Sequence, residues 1–331
     1  MESIWHRLQL LTDTASTLAT DWTSYASSTC LVPLLGSGLL CFQGEESQSF
    51  LQGQLSSDIR LLTGANCQLS SYSTPKGRMQ ATFLAWKSEA DYLLELPLLM
   101  LPALQKRLSM FIMRSKTKAI DASGDWGLIG VVGVQARQCA EAWAGKPLQD
   151  NEVFAQAKGQ VLALPGNRFM LAIPADQLVE QWSQLCTQGV PASEALWEYA
   201  SIVAGEPRVT PATQEAFVAQ MANLELVGGV SFTKGCYPGQ EIVARTQYLG
   251  KLKRRAFRAH VKADAVEPGM EVYSVEMNGQ PSGVVMRASS APEGGSELLV
   301  VAQMSSLEHG LHLGAVDGPL LEIRPLPYEV A

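Results

Sequence analysis

Cys236 is the residue of this chain with the most evident capacity for chemistry. It lies in the run Lys234-Gly235-Cys236-Tyr237-Pro238-Gly239-Gln240-Glu241, continued by Ile242-Val243-Ala244-Arg245. The glycines permit close backbone approach and positive φ, and Pro238 stiffens the turn. Lys234 and Arg245 bring positive charge near the thiol in sequence, which favours the thiolate. A thiolate can serve as nucleophile, redox group or soft metal ligand. Alone it cannot hold an iron–sulfur cluster, which takes about four protein ligands. A covalent enzyme needs a neighbouring base. The run offers Glu241 and no histidine. Glu241 reads equally well as a structural carboxylate, Tyr237 as a packing aromatic and Gln240 as a turn residue.

The other cysteines, Cys30, Cys41, Cys67, Cys139 and Cys186, form no C-x-x-C pair. Zinc-finger and dithiol motifs are therefore absent. With four scattered histidines no metal-ligand cluster is visible in the sequence. The cysteine density is too low for a disulfide scaffold. No stretch approaches the roughly 20 apolar residues of a membrane helix, and the first residues lack the pattern of a secretory signal. A cytoplasmic protein is expected, with no membrane partner. The net charge of −7 disfavours direct binding of nucleic acid through a broad basic face. The densest basic cluster is Lys251, Lys253, Arg254, Arg255 and Arg258. It reads as a solvated strand face or as a local nucleic-acid patch.

The Cys236 run resembles the signature of the YgfZ family, folate-binding proteins related to the T-protein (aminomethyltransferase) of glycine cleavage. The family pattern Lys-Gly-Cys-Tyr-x-Gly-Gln-Glu is matched at every fixed position. The flanks Gln220-Met221-Ala222-Asn223-Leu224, Leu226-Val227-Gly228-Gly229-Val230-Ser231-Phe232 and Gly250-Lys251-Leu252-Lys253-Arg254-Arg255 are similar too. So are Phe50-Leu51-Gln52-Gly53-Gln54-Leu55-Ser56-Ser57-Asp58, Pro75-Lys76-Gly77-Arg78-Met79 and the ending Ile323-Arg324-Pro325-Leu326-Pro327-Tyr328. The resemblance implies a folate-binding accessory protein, with tetrahydrofolate or a related reduced folate as ligand. It implies support of iron–sulfur cluster assembly or repair, and thereby of tRNA methylthiolation. The partners would be iron–sulfur enzymes such as radical tRNA methylthiotransferases, with Cys236 as the reactive thiol. Lys234, Tyr237, Gln240 and Glu241 would complete that site. Trp197 would contact the folate, as a flat pterin stacks on an indole; its other reading is a core tryptophan. Lys76 and Arg78 would meet the glutamate tail, and Glu206 would offer an acceptor.

Three positions depart from the family pattern. Around Ser37 there is no second tryptophan, Val203 stands where an acid is common, and Thr74 where an aspartate is common. The last departure weakens the alternative function, a folate-dependent aminomethyl transferase.

The elements that must position these residues read as α+β. Apolar residues of 4–20 recur at helical spacing, and 23–29, rich in Ser and Thr, reads as a connector. Strands are expected at 38–42, 79–86 and 92–96, and helices at 47–54 and 98–111, the latter with Pro102 in its first turn. A βαββα order follows: strand 127–133, helix 135–143, hairpin 161–164 with 169–173, helix 176–186. Gly127, Gly130 and Gly133 do not fit a nucleotide loop and are read as close-packing glycines. From 252 on, short strands at 252–262, 270–275, 281–289, 296–305 and 319–324 suggest a small β-barrel. The expected domains are 1–117, with 200–245 returning to it, then 118–199, and a barrel at 246–331. The resemblance implies a T-protein-like fold, with ferredoxin-like α+β domains around a central cavity.

Overall fold

The computed structural model describes residues 4–8, 10, 18–250 and 252–330. The chain divides into two compact units. The first comprises residues up to 51, then 59–68 and 84–200; the second comprises 52–58, 69–83 and 201 onward.

The first unit is built on a six-stranded sheet. Its order is Val190–Pro191, Cys30–Pro33, Trp126–Val132, Arg168–Pro174, Gly159–Leu164, Val153–Gln156. The expected βαββα order is present in it. Cys30–Pro33 joins from outside that order and pairs antiparallel with Trp126–Val132. Four apolar residues ending in proline carry no alternation, so this fully buried strand had no sequence signal. Ile129, Val131, Val161, Phe169 and Leu171 face helices Ala136–Ala144 and Leu178–Leu185, forming one core with Trp5, Trp143 and Trp182. Gly130 is needed for close approach: a Cβ there would come within 2.5 Å of the Trp197 ring.

The remaining strands of this unit include Ser37–Gln43, which pairs with Asp91–Pro97 and with Lys118–Asp121. Asp91–Pro97 in turn pairs with 84–88 through the expected hairpin. Helix Leu101–Ile112 carries Pro102 in its first turn and buries Leu101, Leu104 and Leu108. Two sequence expectations change. Of the helix expected over 4–20, Ile4–Arg7 is helical, whereas Leu11 and Ala15 lie outside the described residues. The connector expected at 23–29 is largely the helix Trp22–Ser27. Asp21 caps it, accepting from the Ser24 amide at 3.0 Å. An N-cap satisfies an orphan amide, so a short helix forms from residues whose composition suggests a loop.

The second unit carries a curled six-stranded sheet of order His312–Leu313, Glu271–Tyr273, Pro281–Ser290, Ser296–Gln303, Arg254–Val261, Glu322–Arg324. The barrel expected from the turn spacing is thus an open half-barrel. Val261, Val285, Leu298 and Val300 are among its core residues. A bulge between Val285 and Arg287 shifts the register.

Between 204 and 239 the described backbone has two short 3-10 turns, Pro211–Thr213 and Ala219–Ala222, and an isolated bridge from Val218 to Arg78. Buried polar side chains hold this stretch. Gln220 Nε2 donates to Val243 O at 2.6 Å, and Asn223 Nδ2 to Ala256 O at 2.8 Å. Arg255 donates to Gln220 O at 2.9 Å and pairs with Glu225. The basic cluster is therefore only in part a solvated face: Lys253 is exposed and Arg254 half-buried, but the next two cations are engaged. Arg255 is buried and Arg258 donates to Glu297 at 2.5 Å, while Lys251 lies outside the described residues.

Candidate thiol site

The second unit brings three separated motifs onto the Cys236 loop. Helix Gln240–Leu249 starts from Gly239, which is left-handed at φ 85°. A Cβ on Gly239 would lie 2.7 Å from Gly77 Cα and 2.7 Å from Thr74 O. A Cβ on Gly77 would lie 2.9 Å from Ile242 Cβ. Two glycines thus let the Pro75-Lys76-Gly77-Arg78 turn pack directly on the start of this helix. The turn closes on itself: Gly77 N donates to Thr74 O and Thr74 N to Arg78 O, each at 2.8 Å. The Thr74 hydroxyl accepts from Arg78 N at 3.2 Å, so Thr74 serves the turn. Arg78 is exposed and donates Nη1 to Ala216 O at 2.7 Å; Lys76 is exposed at the tip.

The stretch 52–58 supports the loop from beneath. Lys234 is 5% exposed, and its ammonium donates to Leu55 O at 2.5 Å and Ser57 O at 2.9 Å. The same ammonium lies 5.0 Å from the Tyr237 ring centroid. Ser231 N donates to Ser56 O at 2.9 Å, and Ser56 Oγ donates to Gly229 O at 2.6 Å. Lys234 therefore acts as a buried clamp. Its charge is engaged by backbone carbonyls below the loop, where the sequence had suggested a cation acting on the thiol.

Above this clamp Cys236 is exposed. The other five cysteines are buried or half-buried. Burial, assisted by Asp21, pushes the Cys30 thiol up to about 11. Burial pushes Cys41 up to about 12, with the Asp91 carboxylate adding to it, and also raises Cys139 and Cys186. Tyr237 is 7% exposed and its hydroxyl has no hydrogen-bond partner among the described residues. Burial pushes that hydroxyl up to about 12, so it stays a neutral donor. Gln240 and Glu241 open the helix, with Glu241 exposed in its first turn, where a carboxylate suits the helix dipole.

The other sequence candidates are placed as follows. Glu206 is held by Arg287, which is 1% exposed and donates to Glu206 O at 2.9 Å and Oε1 at 3.4 Å. The chain's ending motif packs beside it: Tyr328 OH donates to Gly205 O at 2.7 Å. Trp197 belongs to the first unit, on helix Glu194–Val203, and is 8% exposed. Its indole packs on Gly130 and lies 5.6 Å from the Arg168 guanidinium. Ser37, also in the first unit, donates to Glu95 Oε1 at 2.6 Å. The Arg287–Glu206 pair and the seating of Lys234 on 55 and 57 were missed by sequence reading. No spacing rule links residues 81 and 177 apart.

The residues fit a folate unevenly. Lys76 and Arg78 are exposed cations suited to an anionic tail, and the unpartnered Tyr237 hydroxyl is a buried donor. Trp197 has its ring packed within its own unit, and the Glu206 carboxylate already serves Arg287.

No family model matches the chain. Curated relatives do. A tRNA-modifying protein YgfZ of Klebsiella pneumoniae is 29% identical over 297 residues, covering 88% of this chain and 90% of the relative. The protein of the same name from Colwellia psychrerythraea is 31% identical over 232 residues, covering 69% and 71%. Among solved structures, the glycine cleavage system aminomethyltransferase T of Bartonella henselae superposes with a TM-score of 0.68 at 16% identity. That match covers 92% of this chain and 87% of the other. At that identity the likeness establishes the fold alone.

Proposed function

The chain belongs to the YgfZ family, and from that premise we propose that it is an accessory protein of tRNA modification acting through Cys236. In this reading it binds a reduced folate and supports assembly or repair of iron–sulfur clusters in enzymes that methylthiolate tRNA. The observation that carries the reading is the build of the thiol loop. A single exposed cysteine stands on a loop clamped by a buried lysine and two close-packed glycines. A loop so held presents the sulfur outward at a defined place, as contact with a partner's cluster requires. One thiol in a run that carries no histidine suits a transient ligand better than a complete catalytic unit.

When bound, a reduced folate would supply one-carbon or reducing chemistry. This chain's contribution would be Lys76 and Arg78 for the tail's carboxylates and the Tyr237 hydroxyl as a donor. The rival reading, an aminomethyl transferase, draws on the shared fold. It needs an acid where Thr74 stands, and the Thr74 hydroxyl is engaged in its own turn.

The test is the level of methylthio-modified tRNA in a strain lacking this gene, complemented with wild type or Cys236→Ala. Wild type should restore the modification and the variant should not. Equal restoration by both removes the thiol from the mechanism. Turnover of an aminomethyl-lipoyl carrier by the purified protein would favour the transferase.

A further inference from the structure

We propose that His260, Glu293 and Glu297 form a binding site for one divalent transition-metal ion on the C-terminal half-barrel. His260 lies on strand Arg254–Val261, directly opposite Glu297 on Ser296–Gln303. Glu293 stands in the turn that leads into the latter strand. One potential ligand atom from each of the three lies within 4.8 Å of the others. His260 Nδ1 is 3.6 Å from a Glu297 oxygen and 3.8 Å from a Glu293 oxygen. Bonds of about 2.0–2.2 Å to zinc put neighbouring ligand atoms about 3.3–3.6 Å apart at a tetrahedral angle. The two distances from His260 therefore need to close by only a few tenths of an ångström.

The independent sign of a ligand is the imidazole itself. His260 is 4% exposed, yet its Nδ1 has no hydrogen-bond partner among the described residues. A buried nitrogen left unpaired costs about 1–3 kcal/mol, and a metal ion would satisfy it. One imidazole with two carboxylates suits zinc and its neighbours; magnesium and calcium prefer all-oxygen sets. Arg324 donates to the same two carboxylates, at 3.0 Å to Glu297 and 2.5 Å to Glu293, and Arg258 donates to the other Glu297 oxygen. Each carboxylate oxygen has a second lone pair. The arginines can thus remain as the outer partners that orient the ligands. The site opens on a groove of about 370 Å³ lined also by Lys262, Asp264 and Glu322, which gives water access to the remaining coordination position. Bound there, the ion would pin the 291–295 turn to the neighbouring strand.

The test is calorimetric titration of chelator-treated, full-length Cys236→Ala protein with zinc chloride, the exposed thiol being removed as a competing ligand. One equivalent should bind, and His260→Ala or Glu293→Gln should each weaken binding at least tenfold. Glu293 is on an exposed turn, so its variant remains informative if His260→Ala fails to fold. Cobalt should give visible d–d absorption without a thiolate band, and that absorption should vanish in either variant. No uptake by the Cys236→Ala protein, or uptake unchanged in both variants, overturns the site. Neither outcome bears on the thiol reading, which rests on a different loop.

Discussion

Among single residues, Cys236 and Lys234 are treated oppositely by the fold: the thiol is exposed and the ammonium is buried. Exposure separates Cys236 from the five other cysteines, and burial keeps Cys30 and Cys41 protonated well above neutral pH. At pH 8 an alkylating reagent should label Cys236 first in the native protein, with the others reacting only on unfolding; peptide mass spectrometry reads this directly. Early labelling of a second cysteine would contradict it. Lys234→Met should leave the carbonyls of Leu55 and Ser57 short of a donor. The expected loss is about 1–3 kcal/mol of unfolding free energy, read by urea denaturation. Cys236→Ser, at an exposed position, should change stability by less than about 0.5 kcal/mol. Glu225 carries a pH dependence. Its carboxyl is raised above the ordinary value by burial, with Arg255 opposing. A raised folded-state value means that the native state holds the proton more tightly. Its contribution is therefore present at low pH and lost as pH rises through the folded value. Arg255→Met removes the opposing cation, so its unfolding free energy should fall more steeply than wild type from pH 5 to 7. Parallel curves would show that Arg255 does not stabilise the ionised form.

At the level of elements, the close contact is between the helix Gln240–Leu249 and the turn at 74–78. Gly239→Ala places a Cβ within 2.7 Å of Gly77 and Thr74, in a backbone with φ of 85°. Overpacking costs about 1–3 kcal/mol, and the left-handed backbone adds strain. The variant should melt lower and should also change the alkylation rate of Cys236, because the loop and the helix share this joint. A lower melting temperature with unchanged thiol reactivity would show that the joint does not position the sulfur. Much of this was legible in the residues. The hairpin at 84–95, helix Leu101–Ile112 and the strands after 252 follow from periodicity and turn residues, and the motif glycines announced tight backbone. The helix Trp22–Ser27 was hidden because Ser and Thr have weak helix preference, and a single Asp21 cap decided it. Cys30–Pro33 was hidden because a strand buried on both sides has no alternation to read.

Across the whole molecule, chain order and spatial order part company. The second unit takes 52–58 and 69–83 from the N-terminal part of the chain, and these segments support the loop at 230–239. A fragment of 201–331 would lack the carbonyls that hold Lys234 and the turn that seats Gly239. Its residues 230–241 should exchange amide hydrogens as a denatured chain does, whereas the full-length protein should protect them. Equal protection in the fragment would mean that the loop is held from within 201–331. Residue type and short spacing were enough to establish the thiol motif, the turn glycines, most helices and strands, and the family kinship, because each depends on neighbours within a few residues. Only the folded chain decided that Lys234 is a buried clamp, that Glu206 belongs to Arg287, and that His260 meets Glu293 and Glu297. Those partners lie tens to hundreds of residues apart, and their meeting is set by sheet register and core packing, which no local pattern encodes.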